Sequence, residues 1–392
     1  MRVLLNGVST LRAKTGVGHT TANLHRALCD AATGDDTFWL YPGRTIARAT
    51  GRFVGRPGSG STGGRGSRLK AGVKAAAKAA YRLHLRAAAR WGAFDLYHEP
   101  NFVPVRTHLP TVVTVHDLSV VLHPEWHPAD RVAFHTKHFE AGLRRASHVV
   151  VVSESVRREL IGELGYPASR VTAVLNGIGD DYRPQRPEVV DAARSRLGLP
   201  DRYFLAVGTI EPRKNLLTLL RAYCDLPPPL RVACPLLLAG GWGWKSDAER
   251  AFYDSEAKAK GVRHLGYVAD ADLPALYAGA AALAYPSFYE GFGLPPVEML
   301  ATGGGVLAST ADAVREVVDG HARLIDPHDL AGWRDALRDV AADPAALDDT
   351  RRGGVAHARR FTWAAAARRT LGVYRSVLGL APAELRSLRP AA

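Results

Sequence analysis

Cysteine is scarce. The 392 residues hold three, Cys29, Cys224 and Cys234, too few and too scattered for a disulfide framework or a metal knuckle. They read as buried small hydrophobes in a reducing compartment, which sets a cytoplasmic expectation. No apolar run approaches the ~18 residues of a spanning helix. The opening MRVLLNGVST has neither a long apolar region nor a small-residue cleavage site, so no secretory signal is expected.

Acidic residues are missing from one long stretch. Arg44 to Arg90 carries twelve Lys or Arg and no Asp or Glu, and nearly accounts for the formal charge of +13. Its first part, GRFVGRPGSGSTGGRGSR, reads as a mobile loop. From Leu69 to about Trp91 the chain is rich in Ala and Leu and free of Pro, which predicts a helix. Its cations recur every four residues and form a slowly drifting stripe. Three readings stay open: a solvated face, a surface for anionic lipid headgroups or a polyanionic acceptor, and nucleic acid. Only Tyr81 and Trp91 interleave with the cations and no nucleic-acid motif accompanies them, so no nucleic-acid partner is expected. A membrane role would place the protein peripherally at the inner face.

What is present is ordinary globular material, 47% hydrophobic and 23% charged, which excludes wholesale disorder. The length favours two domains. Short apolar strands alternate with helical stretches: Val3–Asn6, Phe38–Tyr41, Leu96–His98, Thr111–Val115, His148–Val152 and Val171–Leu175. Ser153 has the position of an N-cap for a helix containing Val156–Leu164. The stretch GDDYRPQRPEVVD, residues 179–191, reads as an interdomain linker. The pattern then restarts with Tyr203–Val207, Pro235–Ala239, Val262–Leu265, Ala282–Tyr285 and Val306–Ala308. This predicts an α/β chain of two doubly wound, Rossmann-like domains, 1–180 and 196–361, facing across a cleft. A last helix, roughly Thr362–Leu378, should pack on a domain surface, with the first domain as its candidate.

Four strings carry chemistry. Thr15-Gly16-Val17-Gly18-His19 precedes a helix; its glycines would let backbone amides approach an anion. It is not a full GxGxxG, and a plain tight turn explains it as well. Val115-His116-Asp117-Leu118 follows a strand. Asp117 could orient His116 or cap the next element, and neighbouring side chains on extended backbone diverge, so no direct dyad is implied. Gly208-Thr209-Ile210-Glu211-Pro212-Arg213-Lys214-Asn215 lies between a strand and a helix. Cations at a helix start oppose the dipole, so they imply an anion there, with diphosphate the natural candidate. Ser287 to Glu298, SFYEGFGLPPVE, runs from strand to helix, with Pro295 and Pro296 suited to the first turn. The amides of Phe292, Gly293 and Leu294 would then face a ligand, and Glu290 and Glu298 would approach it from loop and helix, a carboxylate suiting ribose hydroxyls.

These residues resemble the family 4 glycosyltransferases, retaining and metal-independent enzymes of the GT-B fold. The resemblance runs through TGVGHTTANLHRAL, VVTVHDLSVVLHPEW, VVVVSESVRREL, VGTIEPRKNLLTLLRAY and YPSFYEGFGLPPVEMLATGGGVLAS. It implies that Glu290 contacts the donor sugar and Glu298 the ribose, that Lys214 holds the diphosphate, and that Gly16, Val17 and Gly18 lie over it. Many relatives carry an arginine directly after Gly208, where this chain has Thr209, and Arg213 is the expected substitute. His116 matches the histidine beside the donor sugar. Tyr267 and Val268 complete the donor-binding set, and Asp117, Glu99 and Asn101 are acceptor-side candidates. Where relatives read Gly-x-Pro-Val, this chain reads Gly303-Gly304-Gly305-Val306, so a more pliable loop is expected.

The implied reaction transfers a hexose from a nucleoside-diphosphate sugar, with GDP-mannose the first choice and UDP- or dTDP-sugars the alternatives. No cofactor and no metal are expected. The acceptor is open between a lipid-linked saccharide, a polysaccharide and a small natural product. A nucleotide-sugar epimerase or a sugar phosphorylase fits the motifs less well. A rival of another class is a non-catalytic saccharide- or nucleic-acid-binding module.

Overall fold

The computed structural model describes residues 1–11, 16–42 and 66–381. Thr15 and most of the expected basic loop lie outside the described residues.

Two six-stranded, wholly parallel sheets form the molecule. The first contains β1 (Arg2–Asn6), β2 (Thr37–Tyr41), β3 (Leu96–Glu99), β4 (Thr111–Val115), β5 (His148–Val151) and β6 (Val171–Ala173), in the order β2-β1-β3-β4-β5-β6. The second contains β7 (Phe204–Val207), β8 (Leu236–Ala239), β9 (Arg263–Gly266), β10 (Ala282–Tyr285), β11 (Val306–Ser309) and β12 (Arg323–Ile325), in the order β12-β11-β10-β7-β8-β9. Helices cover both faces, so central strands are buried on both sides; all five residues of β4 are buried, Thr111 and Thr114 included, as parallel sheets require. The α/β expectation therefore holds. The strand order reverses at β1/β3 and at β7/β10, and loops at such switch points flank a crevice.

Differences from the sequence reading have local causes. Strand β12 is only three residues, RLI, between a turn and a loop, too short to give a period. The Pro-rich stretch after residue 179 becomes the helix Pro187–Leu197, because Pro187 at its first turn lacks only an amide that the helix would leave unpaired. Cys224 and Cys234 are buried, but Cys29 is exposed. The glycine run is packed rather than open: a Cβ on Gly304 would lie 2.2 Å from Met299 Cε, and one on Gly305 would lie 2.7 Å from Leu347. Close packing there replaces the expected pliability.

The chain passes to the second sheet and returns. At the return, Ile178 N–H donates to Phe361 O at 3.0 Å, and Gly177 leaves no room for a side chain, since a Cβ would lie 2.2 Å from Trp363 N. The final helix, Trp363–Val377, is capped by Thr362. It packs Ala366, Ala367, Leu371 and Tyr374 against Val3, Leu5, Phe38, Leu96 and Val112 of the first sheet. Tyr374 Oη lies 2.6 Å from Nδ1 of His98, whose Nε2 lies 2.8 Å from Thr114 Oγ1. Burial pushes His98 down to about 3, so the ring is neutral and relays one hydrogen bond between helix and sheet.

Tyr374→Ala should destabilise the protein by about 3–5 kcal/mol, read by denaturant unfolding. A loss under about 1 kcal/mol would show that the last helix is not part of the first domain's core.

Candidate active site

The site begins where β7 ends. Gly208 takes φ 135°, and Gly240, after β8, abuts it so closely that a Cβ there would lie 2.0 Å from Gly208 O. Glu211 is extended, Pro212–Lys214 form one 3-10 turn, and Asn215 is left-handed at φ 53°, a conformation that Asn tolerates better than most residues. Asn215 Nδ2 donates to Pro286 O at 3.0 Å and Pro327 O at 2.7 Å, and Phe288 N–H donates to Arg213 O at 2.8 Å. The β7 loop is thereby tied to the β10 loop that carries Glu290. Arg213 and Lys214 precede the helix Leu216–Cys224 rather than starting it, so the dipole argument does not apply to them. The anion beside them in this structure is the protein's own.

Glu290 is buried and accepts from both cations: Arg213 Nη1 at 2.6 Å and Lys214 Nζ. Arg213 Nε also reaches Glu211 Oε1 at 2.7 Å, and its Nη1 reaches Tyr289 O at 3.2 Å. Lys214 Nζ donates to Tyr285 Oη at 3.1 Å. Burial alone would raise the Glu290 carboxyl, but Arg213 and Lys214 outweigh it and hold the group at about 2. Burial lowers Lys214, helped by Arg213, and raises Glu211. Glu211 Oε2 is buried without a partner. The four side chains form a compensated cluster, two carboxylates against two cations, at the carboxyl ends of adjacent strands.

Glu298 lies in the helix Leu294–Ala301, whose N-cap Gly293 has φ 112°. Pro295 and Pro296 remove two first-turn amides, leaving few backbone donors at this helix start besides Leu294 and those before it. The side chains of Phe292 and Val268 are buried in the second domain's core, so only their backbone can meet a ligand. Glu298 Oε2 accepts from Tyr277 Oη at 2.8 Å. Burial raises its carboxyl to about 7, with Tyr277 and Tyr182 opposing the rise.

The first domain closes onto the Glu290 loop. A Cβ on Gly291 would lie 1.8 Å from His116 O. Ser153 Oγ donates to Gly291 O at 2.7 Å and accepts from Val156 N–H, capping the helix Glu154–Gly162. Tyr289 Oη accepts from Leu118 N–H at 3.0 Å and donates to Glu159 Oε2 at 2.5 Å. Glu316 accepts from the amides of Glu154 and Ser155 at 2.9 and 2.8 Å. His116 Nε2 lies 2.8 Å from Pro100 O, and burial lowers its pKa. Asp117 Oδ1 accepts from Ser119 N–H and Oγ, which ties it to the turn that leads into the next helix.

The remaining candidates divide. Gly16, Val17 and Gly18 open the helix Gly16–Asp30, with open space at Gly16. His19 Nε2 lies 3.7 Å from Asp270 Oδ1, which also accepts from Tyr267 Oη at 3.1 Å, so this helix start meets the Tyr267 loop. Gly208 and Thr209 line a cleft with Lys214 and Tyr285. Asn101 is exposed, whereas Glu99 is buried, accepting from Asn6 Nδ2 at 2.7 Å and Tyr97 Oη at 2.6 Å. The sequence reading passed over one Asp-x-Asp string, Asp270-Ala271-Asp272, beside Tyr267. Asp272 is paired with Arg196, and among the described residues no group of three or more His, Cys, Asp and Glu could hold a metal ion. Ser153 was expected as a cap but not as a contact to Gly291; Tyr277 and Glu316 were not foreseen, and Glu211 and Tyr289 lay inside the quoted strings without a role assigned to them.

Comparison with known proteins gives a consistent result. Residues 190–356 match the family described as glycosyl transferases group 1, and residues 15–182 match glycosyltransferase family 4. O-antigen chain mannosyltransferase B of Escherichia coli is 36% identical over 302 residues, 76% of this chain and 79% of that protein. The serotype-specific mannosyltransferase WbdA of Escherichia coli is 29% identical over 265 residues, 65% of this chain and 32% of that longer protein. The crystal structure of HepE from Anabaena with UDP and glucose superposes with a TM-score of 0.71 at 17% identity, covering 96% and 99% of the two chains.

Glu290→Gln should cost about 3–5 kcal/mol near neutral pH, because it leaves two buried cations short of a counter-charge. The folded pKa of Glu290 is depressed, so its contribution is present above the unfolded value of 4.5 and lost as pH falls towards about 2. Urea unfolding at pH 7 and pH 3 should show the gap between wild type and variant narrowing; a constant gap would contradict the ion cluster.

Proposed function

Because this chain belongs to glycosyltransferase family 4, we propose that it is a retaining mannosyltransferase that uses GDP-mannose and needs no divalent metal. The mannose assignment is supported by the relatives named above. The charge arrangement is supported by one observation: Arg213 and Lys214 converge on a single buried carboxylate at the β7/β10 switch point.

The donor's diphosphate would take the place that Glu290 now fills for these cations. Arg213 and Lys214 then face the departing phosphate, with the backbone of Phe292 to Leu294 as further donors. Glu290, released from part of its pairing, accepts from the sugar's hydroxyls. Glu298 accepts from the ribose. The bond from C1 to the diphosphate oxygen breaks and a bond from C1 to the acceptor oxygen forms on the same face, through an oxocarbenium-like transition state. The acceptor's proton passes to the departing phosphate, so no protein nucleophile is needed. His116, neutral through burial, lies on the opposing domain where it can meet the sugar. The acceptor is a saccharide hydroxyl, bound on the first domain's side with Asp117 and Asn101 near it.

Two experiments test this reading. Hydrolysis of GDP-mannose, UDP-glucose and a dTDP-hexose is compared with and without chelator. GDP-mannose should be cleaved fastest, unchanged by chelator, with an α-anomeric product when an acceptor is supplied. Preference for another donor, or activity restored only by magnesium, would contradict it. GDP titration tests Glu298. Hydroxyls donate to the ionised carboxyl, whose pKa is raised to about 7, so affinity should rise with pH up to about 7 and then level. Glu298→Gln should weaken binding about tenfold or more and flatten the profile. A wild-type profile in the variant would remove Glu298 from the ribose site.

A further inference from the structure

The helix Gly66–Trp91 crosses from β2 to β3 and contains no Asp or Glu. Its inner face is settled by Leu85 and Ala89, which are buried against Leu4, Tyr97 and Leu109. With ~3.6 residues per turn, Ala80, Leu83, Ala87 and Trp91 share the opposite, outward face. There Leu83 is 69% exposed and Trp91 81% exposed. Arg82, Arg86 and Arg90 are exposed in an adjacent stripe. Strand β2 extends the surface. Trp39 is in register with Leu4, so it projects from the sheet face that this helix covers. It is 55% exposed and meets Phe94 edge-on at 6.3 Å. Two tryptophans, a leucine and three arginines thus lie exposed on one side of the first domain, at its edge strand.

We propose that this face docks on an anionic lipid bilayer. The chemistry selects among occupants. A second copy related by a two-fold axis would set like arginines against one another. A soluble polyanion would engage the arginines but gain nothing from Leu83 and Trp91. A bilayer interface rewards both: tryptophan at the headgroup level, leucine in the acyl boundary and arginine on anionic phosphate. The face flanks the sheet and leaves the strand carboxyl ends, and hence the cleft, open. The inference does not depend on the donor or the reaction.

The test is flotation of the full chain with vesicles of phosphatidylcholine, with or without phosphatidylglycerol. Binding should require phosphatidylglycerol and fall with salt. Arg82→Glu with Arg90→Glu should lower the partition coefficient by about 25-fold or more, at about fivefold per arginine. Leu83→Ala with Trp91→Ala should lower it about tenfold or more, with unchanged thermal melts, since these side chains are exposed. Failure to float with phosphatidylglycerol, equal binding to neutral vesicles, or wild-type binding by the Leu83/Trp91 variant would each overturn the proposal. The last would assign the attraction to charge alone.

Discussion

Two cations cannot sit in a protein interior without an anion. Arg213 and Lys214 are held at the carboxyl ends of β7 and β10, and their proximity depends on Glu290 and Glu211. Everything around the cluster serves to keep it in place: the left-handed Asn215, its bonds to Pro286 and Pro327, and the Phe288 amide on Arg213 O. Removing ions from water is costly and is repaid only by close, well-directed pairing. On the proposed reading, Glu290 stands in for the charge of the ligand. An incoming diphosphate would then exchange one anion for another instead of desolvating bare cations.

The same loop is also the contact between domains. Tyr289 and Gly291 flank Glu290, and each bonds to the first domain, through Leu118, Glu159 and Ser153. Behind them, Glu316 takes two amides of the helix that Ser153 caps. An acidic group at a helix N-terminus is favourable, and here it comes from the opposite domain. Closure and the position of Glu290 are thus set by one set of bonds, which fits the proposed transfer, in which water must be kept from the sugar.

The architecture was largely legible in the sequence because parallel strands buried on both faces leave short runs rich in apolar and β-branched residues; β4 (TVVTV) and β10 (ALAY) were bounded correctly from such runs. The Ser153 cap was legible for the same local reason. What escaped was set by tertiary contact. The helix-start argument for an anion beside Arg213 and Lys214 does not apply to them, and the anion found there is a Glu 76 residues on from Lys214. Tyr277 and Tyr182 around Glu298 come from a helix and a linker that no spacing connects to it. Cys29 shows the limit of composition: the residue type is usually buried, yet its place near a helix end leaves it exposed.

The central claim is that Arg213 and Lys214 bind the departing diphosphate after release from Glu290. Calorimetric titration of GDP into wild type, Lys214→Met and the Lys214→Met/Glu290→Gln pair tests it most directly. The account predicts that Lys214→Met loses about tenfold or more in affinity, and that adding Glu290→Gln restores part of it, because one anion then no longer competes for Arg213. Equal affinity in all three proteins would contradict it.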